Sequence, residues 1–310
     1  MTLLLSNPVF QEHDTGRHPE HPQRIAAILK RQPAWLAAGL CQIATPRPAP
    51  IECIAAVHAR PYLEAVRTFA AAGGGRIEAD TQMSRASFDV ARLAVGSVIQ
   101  AVDYVMDMPQ RRSLCLVRPP GHHALPEAAM GFCLFNNVAI GARHAQRAWG
   151  VSRVLIVDWD VHHGNGTQDM FYGDAQVTLL SIHRSPFYPG TGLEHETGTG
   201  PGLGATINVP LPFGISRHDY LECFHSKLTQ AAARARPELI LLSAGFDAHA
   251  SDPIGSLGLE AEDFLRMTEW VVEVAEQHCQ GRIVSLLEGG YHPQALVECV
   301  ECHLQGLGTE

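Results

Sequence analysis

One apolar run in this sequence is followed at once by side chains that could bind a metal. Residues 154–157 read VLIV, and the next eight positions hold Asp158, Asp160, His162, His163 and Asn165. Asp160 and His162 are two residues apart, so at the end of a strand their side chains point the same way. With Asp247, which follows another apolar run, they would supply two oxygens and one nitrogen. Such a set suits zinc with one position left open for water or substrate.

Other metals are compatible with this set. Iron or manganese would also bind, because oxygen-rich sites discriminate weakly between first-row metals. A closed structural zinc site would instead use four ligands, usually rich in cysteine. The sequence therefore favours a catalytic metal over a structural one.

Two further segments carry groups for proton transfer. "GHHA" contributes His122 and His123, and imidazole is the usual general base near neutral pH. A histidine base needs a partner on its other ring nitrogen, and Asp158 and Asn165 are available. Tyr291 follows two glycines that permit a tight turn, and its phenol could donate to a developing oxyanion. We expect His163 to pack or to support the site, without a catalytic step.

Apolar runs alternate with helical patterns along the chain. The first pattern predicts strands at 2–6, 114–118, 154–160, 177–183, 205–210, 239–247 and 282–290. The second pattern predicts helices at 86–106, 135–149, 217–235, 261–279 and 293–305. Nearly continuous apolar strands are typical of a parallel sheet covered on both faces. We therefore predict an α/β fold with a mainly parallel central sheet and helices on both faces, forming one domain over residues 1–310.

The polar clusters share one position in this scheme. "RPPGHHA", "DWDVHHGN", "FDAHASDP" and "EGGYHP" each follow a predicted strand. Sites in open parallel sheets form outside the carboxyl ends of the strands. Four clusters at four such ends predict one shared cleft.

Composition excludes several classes of function. A net charge of −9 argues against nucleic-acid binding and gives a weak preference for cationic substrates. No apolar run approaches the ~18 residues of a membrane span, and the first residues lack a basic signal-peptide region. The eight cysteines are scattered, which is not typical of a disulfide framework. We expect a cytoplasmic protein. "CVECH" at 299–303 matches a haem-attachment pattern, but we interpret it as part of a C-terminal helix.

These motifs together resemble the histone deacetylase superfamily, which includes acetylpolyamine amidohydrolases and acetoin-utilisation proteins. The resemblance extends from "HPEHPQRI" (18–25) through "GFCLFNNVAIGARHAQ" (131–146) to "LEGGYHP" (287–293), and so covers nearly the whole chain. The asparagine after "HHG", Asn165, makes this segment most similar to the class II branch and its bacterial relatives. The resemblance implies an arginase-like α/β fold with zinc at the base of a narrow tunnel.

The resemblance also implies roles for individual residues. Zinc falls on Asp160, His162 and Asp247, and the general base on His123. His122 would be its electrostatic partner, bonded to Asp158, and Tyr291 would polarise the scissile carbonyl. The tunnel walls and rim would be formed by Phe132 with Gly131, Tyr188, Ile254 and Asp80, the last gripping the substrate backbone. A monovalent cation, expected to be K⁺, would be bound by Asp158, Asp160, His162, Ser181 and Ile182.

The implied activity is removal of acetyl or related acyl groups from amines such as acetyl-lysine. Three departures from the family pattern concern the base and the specificity. Asn165 stands where class I members have aspartate, so the partner of His123 is neutral. Tyr188 stands where phenylalanine is common, and the 183–192 loop is shorter than in human class II enzymes. The natural substrate, the acyl length and the oligomeric state do not follow from the sequence.

Three alternatives remain open at this stage. The first is an acetylpolyamine deacetylase of the same fold. The second is a binuclear manganese hydrolase acting on guanidinium or ureido groups, for which Asp252 would be an extra acid. The third is a non-catalytic acyl-binding protein, against which the complete set of polar residues argues.

Overall fold

Eight parallel strands form the sheet around which the chain is organised. A computed structural model describes residues 1–309. The sheet strands are β1 (Thr2–Leu5), β2 (Cys41–Ala44), β5 (Arg112–Cys115), β6 (Val154–Asp158), β7 (Val177–Arg184), β8 (Thr206–Leu211), β9 (Leu239–Ala244) and β10 (Ile283–Leu287). Their order is β2-β1-β5-β10-β9-β6-β7-β8, with every pairing parallel. A separate antiparallel hairpin joins β3 (Gly74–Arg76) to β4 (Gln82–Ser84).

Helices cover both faces of this sheet. They are α1 (Gln23–Ala37), α2 (Ile51–Ile54), α3 (Arg60–Ala71), α4 (Ser87–Asp107), α5 (Asn137–Trp149), α6 (Asn165–Phe171), α7 (Arg217–Ala235), α8 (Ala261–Cys279) and α9 (Pro293–Leu307). Helices α4 and α5 pack together on strands β5, β9 and β10, whereas α7, α8 and α9 form a second packed layer. The predicted α/β class with a mainly parallel sheet and flanking helices is confirmed.

The central strands are apolar on both faces because both faces are covered. Every residue of β6, β9 and β10 is buried, as expected for a parallel sheet between two helical layers. This burial makes the middle of the sheet a rigid base for the loops at its carboxyl edge.

Three strands end earlier than the apolar pattern predicted. β6 ends at Asp158 rather than 160, β9 at Ala244 rather than 247, and β10 at Leu287 rather than 290. Just beyond these points, backbone N–H groups begin to bond to carboxylates as well as to neighbouring strands. Asp160 N donates to Asp158 Oδ1, and Gly289 N donates to Asp160 Oδ2. The polar ends of the predicted strands are therefore site loops.

Strand β5 is displaced toward the N-terminus relative to its prediction at 114–118. It spans 112–115, and the following residues leave the sheet toward "PPGHH". Among residues 1–309, no helix has both the length and the apolar character needed to cross a bilayer.

Candidate active site

A cavity of about 220 Å³ opens at the carboxyl edge of the sheet. Loops that are distant in the sequence meet around it. Its lining is Asp80, His123, Gly131, Phe132, His162, Phe187, Tyr188, Ile254 and Tyr291. The four polar clusters predicted to share one cleft thus contribute to one cavity or to its floor.

The floor holds the three predicted metal ligands. The ligand atoms of Asp160, His162 and Asp247 lie within 4.8 Å of one another, and all three residues are buried. His162 Nδ1 is 3.0 Å from Asp160 Oδ1 and 3.2 Å from Asp247 Oδ2. A second close group in residues 1–309, His218 with Asp219 and Glu222, lies exposed on α7. Only the first group has the enclosed geometry of a catalytic metal site.

Backbone donors fix the two carboxylates in place. His162 N donates to Asp160 Oδ1 at 2.9 Å, and Val161 N donates to Asp247 Oδ1 at 2.9 Å. The loop after β6 therefore curls around both acids.

The trio fits a divalent cation. Asp247 Oδ2 is buried, and apart from the contact with His162 Nδ1 at 3.2 Å it has no hydrogen-bond partner within the described chain, a costly state for a carboxylate oxygen. Burial, and next the neighbouring Asp160 charge, raise the pKa of Asp247. A Cβ on Gly289 would overlap Asp247 Oδ2, so only glycine leaves room there. Two buried carboxylates and one imidazole, with an unpartnered oxygen, form the donor set expected for zinc.

Beside the trio, His122 and His123 form a close pair. Their ring centroids are 4.0 Å apart. His122 Nδ1 lies 2.9 Å from Asp158 Oδ2, and His123 Nδ1 lies 2.7 Å from Asn165 Oδ1. Each histidine therefore has the partner predicted for it, and His123 faces the cavity.

The two histidines have opposite electrostatic surroundings. Burial disfavours charge on His122, but Asp158 and Asp160 outweigh burial and raise the pKa of His122 well above its usual value. Burial, and then the charges of His122 and His162, lower the pKa of His123 well below its usual value. These surroundings favour the charged form of His122 and the neutral form of His123.

Tyr291 reaches the cavity from the loop after β10. Gly290 precedes it with φ +113°, a conformation that favours glycine. Tyr291 N donates to Asp252 Oδ2 at 2.7 Å, and its ring meets Phe132 edge-on at 5.9 Å. Burial, and then Asp247, raise the pKa of Tyr291, so its hydroxyl keeps its proton.

Aromatic rings form the walls of the cavity. Tyr188 stands perpendicular to His123 at 5.3 Å, and Phe132 lies on the side of Tyr291. Phe132 has φ +70°, and the preceding Gly131 approaches the His123 ring so closely that a Cβ would overlap it. Phe187 is a wall that the sequence reasoning missed: it stacks on His162 at 5.1 Å. Its position beside Tyr188 in "FYPG" was the available signal.

The predicted rim residues lie at the cavity, in different roles. Asp80 Oδ1 accepts from Gly131 N at 3.1 Å and from Thr81 Oγ1 at 2.9 Å, so this oxygen holds the Phe132 loop. Ile254 contributes a half-buried apolar surface to the lining. Both residues therefore border the space that a substrate would occupy.

The residues predicted to bind a monovalent cation include Asp160 and His162 of the trio and three residues on β6 and β7. Asp158 and Ser181 are register partners on β6 and β7, and Ile182 follows directly. Ser181 Oγ lies 3.0 Å from His183 Nδ1, and Asp158 Oδ1 accepts from Asp160 N.

Glu288 is a second residue that the sequence reasoning missed. It is fully buried, and its Oε2 accepts from Gly121 N at 2.7 Å and His122 N at 3.2 Å. Burial raises the pKa of Glu288 to about 7. An acid ending an apolar strand, directly before two glycines, was the signal that could have identified it.

His163 does not face the cavity floor. Its Nε2 lies 3.0 Å from Gln168 Oε1 and its Nδ1 lies 2.8 Å from Thr191 Oγ1. One ring nitrogen is therefore bonded to helix α6 and the other to the loop that carries Tyr188.

Comparisons with known proteins give the family of the chain and support its fold. The profile of the histone deacetylase domain matches residues 18–307. The chain is 39% identical to the histone deacetylase-like amidohydrolase of Pseudomonas aeruginosa, over 88% of this chain and 71% of that protein. It is 38% identical to a probable deacetylase of Archaeoglobus fulgidus, over 94% and 81% of the two chains. The crystal structure of the HDA15 HD domain superposes with a TM-score of 0.93, at 34% identity, covering 99% of this chain and 88% of that chain.

Proposed function

The chain belongs to the histone deacetylase family, and from that premise we propose that it is a zinc-dependent amidohydrolase that removes acetyl groups from primary amines such as the lysine side chain. One observation carries the proposal. A buried Asp160–His162–Asp247 trio, a polarised histidine pair and Tyr291 border or underlie a single narrow cavity. Together these groups could supply the metal, the general base and the oxyanion donor for metal-assisted attack of water on an amide.

Zinc is the proposed metal, with Asp160, His162 and Asp247 as its ligands. When bound there, zinc acts as a Lewis acid that polarises the amide carbonyl and lowers the pKa of water. Iron would fit the same donor set. The metal content of the purified protein distinguishes the two.

His123 is the proposed general base. Its low pKa keeps Nε2 unprotonated, and its Nδ1 contact with Asn165 fixes the orientation of the ring. The neighbouring His122 is bonded to Asp158, and its raised pKa favours the charged form, which would stabilise negative charge that develops nearby. Proton removal by a positioned imidazole typically contributes about 10²–10⁴-fold to rate.

Tyr291 is the proposed oxyanion donor. The water oxygen bonds to the carbonyl carbon, and its proton passes to His123. The Tyr291 hydroxyl donates to the developing oxyanion. The carbon–nitrogen bond then breaks as a protonated histidine of the pair returns a proton to the leaving nitrogen. Acetate and the free amine are released, and no covalent acyl-enzyme is needed.

A potassium ion is proposed as a structural neighbour of the trio. The family resemblance supports Asp158 and Ser181 side chains, with backbone carbonyls of Asp160, His162 and Ile182, as its ligands. Removing potassium should lower activity without removing zinc, and replacing it with a larger or smaller monovalent ion tests this assignment.

Acyl-lysine is the proposed substrate class, with acetylpolyamine as the alternative. The half-buried Ile254 offers apolar contact to a lysine stem but no partner for a second ammonium group. The net charge of −9 favours cations in general and so favours the alternative. Asp80 at the rim is suited to accept from a substrate backbone N–H.

The remaining alternatives have less support. In a binuclear manganese hydrolase Asp252 would bridge two metals, but its oxygens accept from the backbone N–H groups of Tyr291, Ile254 and Gly255. A non-catalytic acyl-binding protein would not need an oriented histidine base. The cytoplasmic location stays part of the proposal, and all eight cysteines are free thiols.

A substrate panel on zinc-loaded protein tests this proposal. It compares acetyl-lysine peptides, longer acyl-lysines, acetylspermidine and small acetamides by kcat/KM. We expect acetyl-lysine or small acetamides to be preferred, and Ile254→Glu to shift the preference toward acetylspermidine by about 0.2–1 kcal/mol, the range of one exposed charge pair. A tenfold or greater preference of the unmodified protein for acetylspermidine over every acyl-lysine would contradict the substrate assignment. No hydrolysis of any amide would contradict the enzyme itself.

A further inference from the structure

Arg184, at the end of β7, lies between two aromatic rings. Its guanidinium carbon is 4.2 Å from the Phe187 ring centroid and 4.3 Å from the Phe213 ring centroid. Phe187 is half-buried and lines the cavity, whereas Phe213 is 67% exposed. The arginine therefore connects the inner wall of the cavity to a ring on the outer surface.

The inner ring of this stack rests on a metal ligand. Phe187 lies nearly parallel to His162, with ring centroids 5.1 Å apart and planes 17° apart. His162, Phe187, Arg184 and Phe213 thus form one column from the floor of the cavity to solvent. Because the Phe187 ring is held between His162 and Arg184, the arginine limits its rotation away from the histidine.

Arg184 also reaches the opposite segment of the site. Its Nη1 donates to Gly255 O at 2.9 Å, and its backbone N donates to Val161 O at 2.9 Å. Gly255 packs so tightly that a Cβ would overlap the Asp247 carbonyl oxygen. Gly255 N donates to Asp252 Oδ1, and the other oxygen of Asp252 accepts from Tyr291 N.

These contacts connect segments that carry different functional groups. The stack reaches His162, and the Gly255 contact reaches the segment that supports Asp247 and Tyr291. We propose that Arg184 is a positioning residue that holds the Phe187 wall against His162 and ties it to the Gly255 segment, thereby setting the width of the tunnel and the orientation of the metal ligands. This inference rests on the proposed function of the site.

The chemistry of arginine explains why this residue type fits the position. A planar guanidinium can stack on two rings at once and still donate a directed hydrogen bond in its own plane. A lysine ammonium could donate to Gly255 O or approach one ring, but it has no flat faces to separate two. Arg184→Lys should therefore restore the function only in part.

The test compares Arg184→Met with a matched control, Arg266→Met. Arg266 also lies over an aromatic ring, that of Trp270 at 5.9 Å, but on α8 away from the cavity. The first readout is the rate at which zinc passes from the loaded protein to an excess of chelator. The second is the separation of KM from kcat on an acetyl-lysine peptide. Thermal unfolding shows that each variant is folded.

We expect Arg184→Met to release zinc about threefold to tenfold faster, less than the roughly 10–100-fold effect of losing a group bonded directly to a ligand. KM should rise about threefold to thirtyfold, as expected for lost cation–π contacts, with kcat changed less than KM. Both quantities in Arg184→Lys should lie between those of Arg184→Met and the unmodified protein. In Arg266→Met they should match the unmodified protein. The proposal would be overturned if Arg184→Met changed neither the rate of zinc release nor KM. It would also be overturned if Arg266→Met changed both quantities as much as Arg184→Met does.

A milder variant covers the case in which Arg184→Met does not fold. Phe213→Ala removes only the exposed outer ring and should shift zinc release and KM in the same direction by a smaller factor. No shift in either quantity would count against the column. If the unmodified protein binds zinc but hydrolyses no amide, the proposed function fails, whereas the zinc-release comparison still tests Arg184.

Discussion

Two buried histidine environments in this chain differ in what their ring nitrogens contact. In the cavity, His122 and His123 each use Nδ1 for a partner, and neither Nε2 has a hydrogen bond within residues 1–309. Between β10, α8 and α9, His303 is fully buried with both nitrogens bonded. Its Nδ1 lies 2.6 Å from Thr268 Oγ1 and its Nε2 lies 2.8 Å from Ser285 Oγ.

The surroundings of the two sites differ in a way that suits catalysis in one and structural packing in the other. In the first pair, the surroundings raise the pKa of His122 and lower the pKa of His123, and each Nε2 is left without a hydrogen bond in the described residues. Hydroxyls and complete enclosure keep His303 neutral, because burial lowers its pKa to about 3. His303 belongs to the "CVECH" match, so a motif that suggests a cofactor is here part of a packed helix. We therefore expect His122 and His123 to control turnover. We expect His303 to contribute to the stability of the fold instead.

The largest expected effect comes from removing the proposed base. His123→Ala should lower kcat by about 10²–10⁴-fold, because proton removal from water is lost. Zinc content, measured by elemental analysis, should not change. The control is His303→Gln, which should keep kcat within about threefold. Equal losses of turnover in the two variants would mean that the two environments do not differ in function.

A smaller loss is expected on the opposite side of the cavity. Tyr291→Phe keeps the ring that contacts Phe132 and removes only the hydroxyl. Loss of one oxyanion donor typically costs about 10²–10³-fold in kcat. Steady-state kinetics on an unactivated acetyl-lysine peptide measures it, and a variant that retains most of its turnover would show that Tyr291 is not the donor.

The convergence of the candidate site residues was predictable from sequence because their spacing follows the geometry of strand ends. Asp160, His162 and Asp247 were expected to converge since parallel strands present their carboxyl ends at one edge. The structure brings them within 4.8 Å. The bounds of α7 and α8 agree with their predictions, because a helical stripe of apolar residues faces the sheet over their whole length.

The supporting contacts were not predictable in the same way. Glu288 bonds the backbone of residue 122, and Arg184 bonds that of residue 255. Such contacts depend on three-dimensional packing and leave no periodic pattern. Helix α1 was not predicted, because Pro33 lies inside it. Proline is disfavoured in the interior of a helix, so its presence argues against a helix when only the sequence is known.

The expected contribution of His303 to the stability of the fold can be tested by substitution. His303→Gln cannot reach both hydroxyls, so at pH 7.5 the free energy of unfolding should fall by about 1–3 kcal/mol, the usual cost of an unsatisfied buried group. Chemical denaturation measures this difference. A variant as stable as the unmodified protein would mean that the two hydrogen bonds contribute nothing net.

The pH dependence of stability sharpens the same point. A histidine with a pKa near 6.5 when unfolded and about 3 when folded is protonated first in the unfolded state. Above pH 6.5 the histidine is neutral in both states, so its protonation does not affect stability. As pH falls from 6.5 toward 3, protonation of the unfolded state progressively lowers the free energy of unfolding. The deficit of His303→Gln relative to the unmodified protein should shrink by about 2 kcal/mol between pH 7.5 and pH 5. A deficit that does not change with pH would contradict a buried neutral His303.

The central claim is that the buried trio at the cavity floor binds one catalytic zinc. Metal-free protein is titrated with zinc by equilibrium dialysis, and amide hydrolysis is followed in the same samples. We expect one zinc per chain, activity that rises in proportion to occupancy, and loss of both in Asp160→Ala. His218→Gln, in the exposed group on α7, should behave like the unmodified protein. Full turnover in rigorously metal-free protein, or unchanged zinc binding in Asp160→Ala, would contradict the account.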